Sequence, residues 1–556
     1  MRTRKLFPFF ILAMMVAAAS APPRAQEKPA EKPAKKEMPP QKNKDGKKLL
    51  TALDTLKIAG VGGPRLSPDG ASVAYTVSEI QMEKDKEWKS VTHLWVVPAA
   101  GPASAARQFT RGEKGATNPA WSPDGKMIAF RTNREKDSEQ QVWMMMADGG
   151  EAWQVTTHKG GVGNFWFSPD GKKLLLTTTD QPGKEEEARK KDKDDTILID
   201  QDIKMTLLWL WDIEKKEGKR LTEGNWTVSD PRWSLDGTRI SYTINPTPKA
   251  DDGGLSDIWI LTVATGEKKK LVENAGSDQS ARWSPDGKWI AYTANADSGG
   301  VAQSHLMVVS AEGGTPRKLT GAFAYDARAP TWSPDGKTLY FSSNTLEAIE
   351  IFAADVAGAT VKQLTSRGGV TSFSELSADG RVIVGTMSGP GRPVELYRAS
   401  VGFTSFEPLS DHNGWVKEYA LGAVEIAKWK SKDGTEIEGV LTEPVDLDPS
   451  KKYPFIVNPH GGPTGASLMG FNSTSQLFAA NGYLMLEPNF RGSTGKGEKF
   501  AQANKNTWGI DDYEDCMSGV QAMVDRGWAD PQRLGAWGWS YGGYMTYWML
   551  TQTDIV

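Results

Sequence analysis

Ser540 stands in the stretch Gly538-Trp539-Ser540-Tyr541-Gly542, with a glycine two residues away on either side. A Gly-x-Ser-x-Gly pattern supports acyl transfer when it occupies a sharp strand-to-helix turn. The glycines let neighbouring backbone pass closely, and the serine hydroxyl projects outward as a nucleophile. The flanking sequence predicts that setting, because Arg533-Leu-Gly-Ala-Trp537 reads as a strand and Tyr544 to Leu550 as the helix behind it. The amide of Tyr541 would then face a developing oxyanion at a helix N-terminus. A second donor is expected from the loop His460-Gly-Gly-Pro463, with the Gly462 amide as its source.

Such a serine needs a general base and an acid, which in hydrolases of this kind follow it in the order Ser, Asp or Glu, His. All five histidines, His93, His158, His305, His412 and His460, precede Ser540, and the sequence stops at Val556. The acid and base are therefore expected beyond Val556, which makes this a C-terminally truncated chain with little turnover of its own. A naturally non-catalytic form is the other reading.

The elements that carry the serine begin near residue 411. Val424–Trp429 and Glu436–Leu441 read as a hairpin about the turn Lys432-Asp-Gly434, and Tyr453–Asn458 and Tyr483–Leu486 as buried strands. Asp511–Arg526 reads as a helix with Tyr513, Met517, Val520 and Val524 on one face. Acidic residues favour its start, and Gly527 ends it. Cys516, the single cysteine, falls beside that face and reads as a core filler; an internal disulfide is excluded.

Ahead of this domain one pentapeptide recurs seven times, beginning at Leu66, Trp121, Phe167, Trp233, Trp283, Trp332 and Leu376. The common form is Trp-Ser-Pro-Asp-Gly, a type I turn: serine first, proline setting φ, then aspartate and glycine. Alternating strands follow each copy, as in Lys126-Met-Ile-Ala-Phe130, and many units close on Leu-Thr, as at Leu319-Thr320. Four short strands per unit at this spacing predict a seven-bladed β-propeller over 49–410, followed by an α/β-hydrolase domain over 411–556. The charged insertion from Lys184 to Asp195 reads as a solvated loop.

Arg2, Arg4 and Lys5 precede an apolar run from Leu6 to Ala19, so residues 1–25 read as an export signal. The run is short for a bilayer span, and no stable span is expected once the signal is cut. Residues 26–48, rich in Lys, Pro and Glu, read as a disordered tether. An exported, periplasmic or secreted protein is expected. A formal charge of −3 with no basic stripe argues against nucleic acid. No paired His or Cys spacing suggests a metal, and no cofactor is expected. Oligomeric state is not readable.

The repeats, together with His460-Gly-Gly-Pro463, Asn489-Phe-Arg-Gly-Ser-Thr-Gly495, Trp508-Gly509 with Asp512, and Gly538-Trp-Ser-Tyr-Gly-Gly-Tyr-Met545, resemble the prolyl oligopeptidase family over nearly the whole mature chain. They look most like its bacterial acylaminoacyl peptidase and dipeptidyl aminopeptidase branch. The resemblance implies cleavage of short peptides through an acyl-enzyme on Ser540, with the propeller screening substrate size. It also implies that Tyr541 borders the pocket for the side chain before the scissile bond, with Phe500 lining it. An esterase on the same hydrolase fold and a non-catalytic propeller binding protein are the competing readings.

Overall fold

The computed structural model describes residues 42–556 except 83–86, 135–138, 182, 195, 197–202 and 297–300. The predicted signal and the tether up to residue 41 lie outside the described residues. Successive four-stranded antiparallel meanders run over Gly60–Gln108, Thr117–Gln154, Asn164–Arg220, Thr227–Val272, Asp278–Lys318, Arg328–Gln363 and Val370–Pro408. The last two are joined by one parallel pair, Ile349 with Val370.

Each pentapeptide links the first and second strands of a meander. In Trp283-Ser-Pro-Asp-Gly287 the Gly287 amide donates to the Ser284 carbonyl at 2.9 Å, the Ser284 hydroxyl donates to Asp286 at 2.6 Å, and the Trp289 amide donates back to Ser284 Oγ at 2.9 Å. The Ser284 hydroxyl, then the Lys288 amide, hold the Asp286 carboxyl below the usual carboxylate range. The tryptophan ties neighbouring meanders together, since the indole N–H groups of Trp121, Trp283 and Trp332 donate to the carbonyls of Arg65, Arg232 and Arg282.

The turns also touch one another. Gly125, Gly171, Gly237, Gly336 and Gly380 stand against Pro68, Pro123, Pro169, Pro285 and Pro334 of the preceding turns, and Gly70 of the first stands against Ser377 of the last. The ring thus closes on itself, with Val73 and Tyr75 of the first meander sharing a core with Val384 and Leu396 of the last. Turns four and seven depart from the pattern, carrying Leu235 and Ala378 in the proline position. Leu235 is exposed, and Gly287 in the next turn has open space before it. Leu235→Pro is expected to stabilise the protein by about 0.4–1 kcal/mol, because five fellow turns carry proline in this position and the unfolded chain loses freedom. A rise in the thermal midpoint would show it; an unchanged or lower midpoint would contradict it.

The Leu-Thr ending has a structural cause. Thr110, Thr156, Thr222, Thr320 and Thr365 each accept at Oγ1 from a backbone amide of the third strand, from Leu94 N to Ile351 N, at 2.8–2.9 Å; Ser410 does the same for Leu396. The fourth strand is bolted on where its own pairing is short.

Two sequence expectations are corrected. Within the insertion read as a solvated loop, Lys184–Lys191 is a helix. Glu185, Glu186 and Glu187 lie in its first turn and Arg189, Lys190 and Lys191 in its last, which complements the helix dipole, and Glu186 pairs with Lys190 and Lys204. Asp195 lies outside the described residues. The end of the predicted tether is also ordered. Lys48–Leu49 pairs in parallel with Tyr419–Ala420, Tyr419 donates its hydroxyl to Asp54, and Ala59 exchanges two hydrogen bonds with Asn413. Leu50, 2% exposed, supplies the apolar anchor that a wholly polar tether lacks.

The hydrolase part is a five-stranded sheet with helices. Its elements are β1 (Val424–Lys430), β2 (Glu436–Thr442), β3 (Tyr453–Val457), α1 (Ser473–Ala480), β4 (Leu484–Asn489), α2 (Asp511–Asp525), β5 (Ala529–Ala536) and α3 (Tyr541–Gln552). The sheet order is β1-β2-β4-β3-β5, with β3 parallel to both β4 and β5. Phe455, Leu486, Cys516, Val520 and Met545 meet in its core. Burial pushes the Cys516 thiol well above its ordinary range, as suits an inert filler.

Candidate active site

β5 delivers the chain to Ser540, which has φ +57° and ψ −121° and directly precedes α3. The helix starts at Tyr541, three residues earlier than predicted, because the serine itself occupies the N-cap position. The two motif glycines are dictated by backbone contact. A Cβ on Gly538 would lie 2.2 Å from the Gly542 carbonyl oxygen, and one on Gly542 would lie 2.0 Å from the Pro459 carbonyl oxygen. The strand end, the serine turn and the loop after β3 therefore pack backbone to backbone, and Ser540 is left exposed.

The loop after β3 brings Gly461 against the serine: a Cβ there would be 3.3 Å from Ser540 Cβ and 3.9 Å from its Oγ. The Gly461 carbonyl bonds to His460 Nδ1 at 2.8 Å. A carbonyl only accepts, so Nδ1 carries the proton, and the amide of Gly462 on the other side of that peptide points away from the ring. Among the described residues neither the Gly462 nor the Tyr541 amide has a hydrogen-bond partner. Two N–H groups without a partner thus belong to the residues next to Ser540 and Gly461, which pack on each other.

His460 is committed elsewhere. Its Nε2 lies 2.8 Å from Ser493 Oγ, and its ring stacks on Phe490 with centroids 4.4 Å apart. Burial brings its pKa down to about 4. It holds the loop after β3 in place and is neutral at physiological pH. A histidine whose folded pKa lies below its unfolded value stabilises the fold fully above about pH 6.5, and that contribution is lost as the pH falls toward 4. Stability is therefore expected to fall between pH 6.5 and 4 in the native protein, and that fall to be smaller in His460→Phe. Identical profiles would contradict this role. Among the described residues no histidine bonds to Ser540.

Tyr541 is 6% exposed. Its ring packs with Phe490, Trp508 and Tyr544, and its hydroxyl donates to Asp512. Asp512 also takes the amides of Gly509 at 2.8 Å and Tyr513 at 2.9 Å, which explains why Trp508-Gly509 and Asp512 occur together. Burial, then the contact with Asp512, pushes the phenol well above its ordinary range. The side chain of Tyr541 anchors the first turn of α3 and thereby aims its amide. Phe500 is placed differently: partly buried at the edge of the hydrolase core, with Lys496 Nζ 4.9 Å from its ring centroid, it forms no ring pair with Tyr541 among the described residues.

The residue missed in the sequence is Arg491, which was noted only as part of a motif. Its guanidinium makes a bidentate pair with fully buried Asp515, at 2.7–3.2 Å, and reaches Asp433 at 2.6 Å. Although burial pulls its pKa down, the Asp515 contact raises it overall. This pair ties the loop after β4, which holds Ser493 under His460, to α2.

Contacts from the propeller reach the same loops: Asn344 Nδ2 donates to Thr494 Oγ1 at 2.9 Å, and the Met469 amide to the Glu347 carbonyl at 2.7 Å. Between them lies a cavity of about 390 Å³ whose walls include Thr464, Asp326, Arg328 and Glu498. A larger cavity of about 1240 Å³ fills the propeller channel, and Ala329 lines both.

A serine turn backed by two free amides, on a hydrolase sheet capped by a propeller, defines a serine hydrolase of propeller-plus-α/β-hydrolase architecture. Comparison with known proteins narrows this. The prolyl oligopeptidase family profile matches residues 469–555, and a TolB beta propeller domain matches 199–413. The uncharacterized peptidase YuxL of Bacillus subtilis (strain 168) is 34% identical over 91% of this chain and 81% of its own length. Dipeptidyl-peptidase 5 of Porphyromonas gingivalis is 28% identical over 91% and 77%. In fold, the chain is similar to Pyrococcus horikoshii acylaminoacyl peptidase, with a TM-score of 0.74 at 23% identity, covering 90% of this chain and 76% of that one. The chain belongs to the prolyl oligopeptidase family and is a serine peptidase.

Among the described residues no helix is long and apolar enough to cross a membrane.

Proposed function

We propose that the protein cleaves short peptides through an acyl-enzyme on Ser540, with the amides of Tyr541 and Gly462 stabilising the tetrahedral oxyanion. The observation that carries this is the pair of unpartnered amides beside an exposed serine held at φ +57°. Attack by Ser540 Oγ on the scissile carbonyl forms the ester and releases the amine half of the peptide; water then releases the acyl half. Proton transfer from Ser540 Oγ needs a general base, and among the described residues no histidine bonds to it. The propeller acts as a size filter, since its channel adjoins the cavity at Thr464, two residues past Gly462. Export of the protein, inferred from residues 1–25, places this activity outside the cytoplasm.

The smaller cavity favours one end of the substrate. The carboxylates of Asp326 and Glu498, offset only in part by Arg328, suit the cationic amino terminus of an unblocked peptide. This supports removal of short units from free amino termini. The protein is expected to hydrolyse a free-amino tripeptide amide at least tenfold better, by kcat/KM, than its N-acetylated form, and this preference should shrink in Asp326→Asn. Preference for the acetylated peptide would overturn the exopeptidase assignment, and turnover of simple esters alone would overturn the peptidase one.

A further inference from the structure

The large cavity in the propeller channel is lined by many neutral residues and, among those described, by five charged ones: Arg65, Asp230, Arg232, Arg282 and Glu375. They sit on first strands of the first, fourth, fifth and seventh meanders, near the end that runs into the Ser-Pro-Asp-Gly turns. Pro68 and Pro285 of those turns line the same cavity. The opposite ends of the strands, at Gln279 and Arg328, line the cavity that meets the hydrolase. The charged collar therefore lies toward the mouth of the channel far from Ser540.

Backbone irregularity sets it there. The first strands of these meanders shift register between Gly62 and Arg65, Ser229 and Arg232, Gln279 and Arg282, and Phe373 and Glu375, with Asp230 at φ +44° and Ser280 at φ +57°. A bulge re-aims the side chains that follow it. Here each bulge is followed by a charged residue that lines the cavity.

The pairing within the collar is incomplete. Arg65 pairs with Glu375 at 3.1 Å, and Asp230 is shared between Arg232 at 2.6 Å and Arg282 at 2.7 Å. Three guanidiniums face two carboxylates, and one positive charge is in excess. Arg232 Nε is buried without a hydrogen-bond partner among the described residues, and its guanidinium lies 5.6 Å from the Trp166 ring centroid. Burial, then the neighbouring Arg282, lowers the Arg232 pKa to about 10. It remains charged, with unused donor capacity.

We infer that this collar binds the carboxylate of a peptide chain end, with Arg232 and Arg282 as the principal donors. A planar guanidinium with a spare N–H matches a carboxylate. The polarity fits the channel: the excess positive charge lies at the outer mouth, and the carboxylates of Asp326 and Glu498 lie at the inner end. A peptide would be drawn amino end inward and held by its carboxylate outward. The peptide identity of the ligand rests on the function proposed above.

The test measures binding without turnover, in the Ser540→Ala protein. A short N-acetylated peptide acid and its C-terminal amide are titrated against intrinsic tryptophan fluorescence at low salt. The acid is expected to bind saturably, at least tenfold tighter than the amide, and to weaken by a similar factor in Arg232→Gln with partial recovery in Arg232→Lys. The acid-versus-amide comparison needs no collar variant and so does not depend on how one folds. Equal affinity of acid and amide, no saturable binding, or an unchanged affinity in a folded Arg232→Gln would each overturn the inference. None of these outcomes bears on covalent labelling of Ser540, which tests the functional reading separately.

Discussion

Ser540→Ala is expected to lower kcat/KM for a peptide amide by about ten-thousandfold or more, leaving peptide affinity nearly unchanged. The hydroxyl is exposed, with Gly461 packed against it and the amides of Tyr541 and Gly462, which this account makes the oxyanion donors, left unpartnered. Removing it takes away bond formation but not the donors. Residual activity should reflect the oxyanion site alone. The backbone adds a second signature, because φ +57° suits glycine better than any residue with a Cβ. Ser540→Gly should be as inactive as Ser540→Ala yet more stable by about 1 kcal/mol. The native serine thus gives up stability for its placement.

Asp515→Ala should destabilise the hydrolase part by about 3 kcal/mol, the lower end of the range for breaking a buried ion pair. Asp515 is fully buried, and Arg491 keeps only 10% side-chain exposure. Truncating the aspartate leaves the guanidinium with Asp433 and Asp511, both half-exposed, as partial compensation. The loop over Phe490–Ser493 would loosen, and with it the seat of His460. Activity should therefore fall more in Asp515→Ala than in Asp433→Ala when each is assayed well below its thermal midpoint. A loss of less than about 1 kcal/mol would show that Arg491 is not the tie between the loop and α2.

The repeats were legible because each turn uses residues with a local mechanical reason: Ser, Asp and Gly form the same hydrogen bonds in every copy, even where leucine or alanine stands for proline, and need no tertiary help. Helix α2 was legible for the same reason, its acidic start and Gly527 marking both ends. The serine turn was legible from glycine spacing, though its helix begins earlier than the apolar pattern suggested, since Gly542 and Gly543 hide the first turn. What could not be read arises from contacts distant in sequence. Arg491 and Asp515 are 24 residues apart, Asn413 and Ala59 are 354 apart, and no local pattern signals either pair. The helix at Lys184–Lys191 was missed because its signal is the order of charges and not apolar periodicity. His460 looked like part of a glycine loop. Only its bonds to the Gly461 carbonyl and Ser493 reveal that it orients the Gly462 amide.

The most direct test of the account is covalent labelling of the protein with a fluorophosphonate, followed by peptide mapping. The account predicts a single adduct on Ser540, abolished in Ser540→Ala and slowed when Gly461 is replaced by proline. An adduct on another serine, or undiminished labelling and peptide hydrolysis in Ser540→Ala, would contradict it.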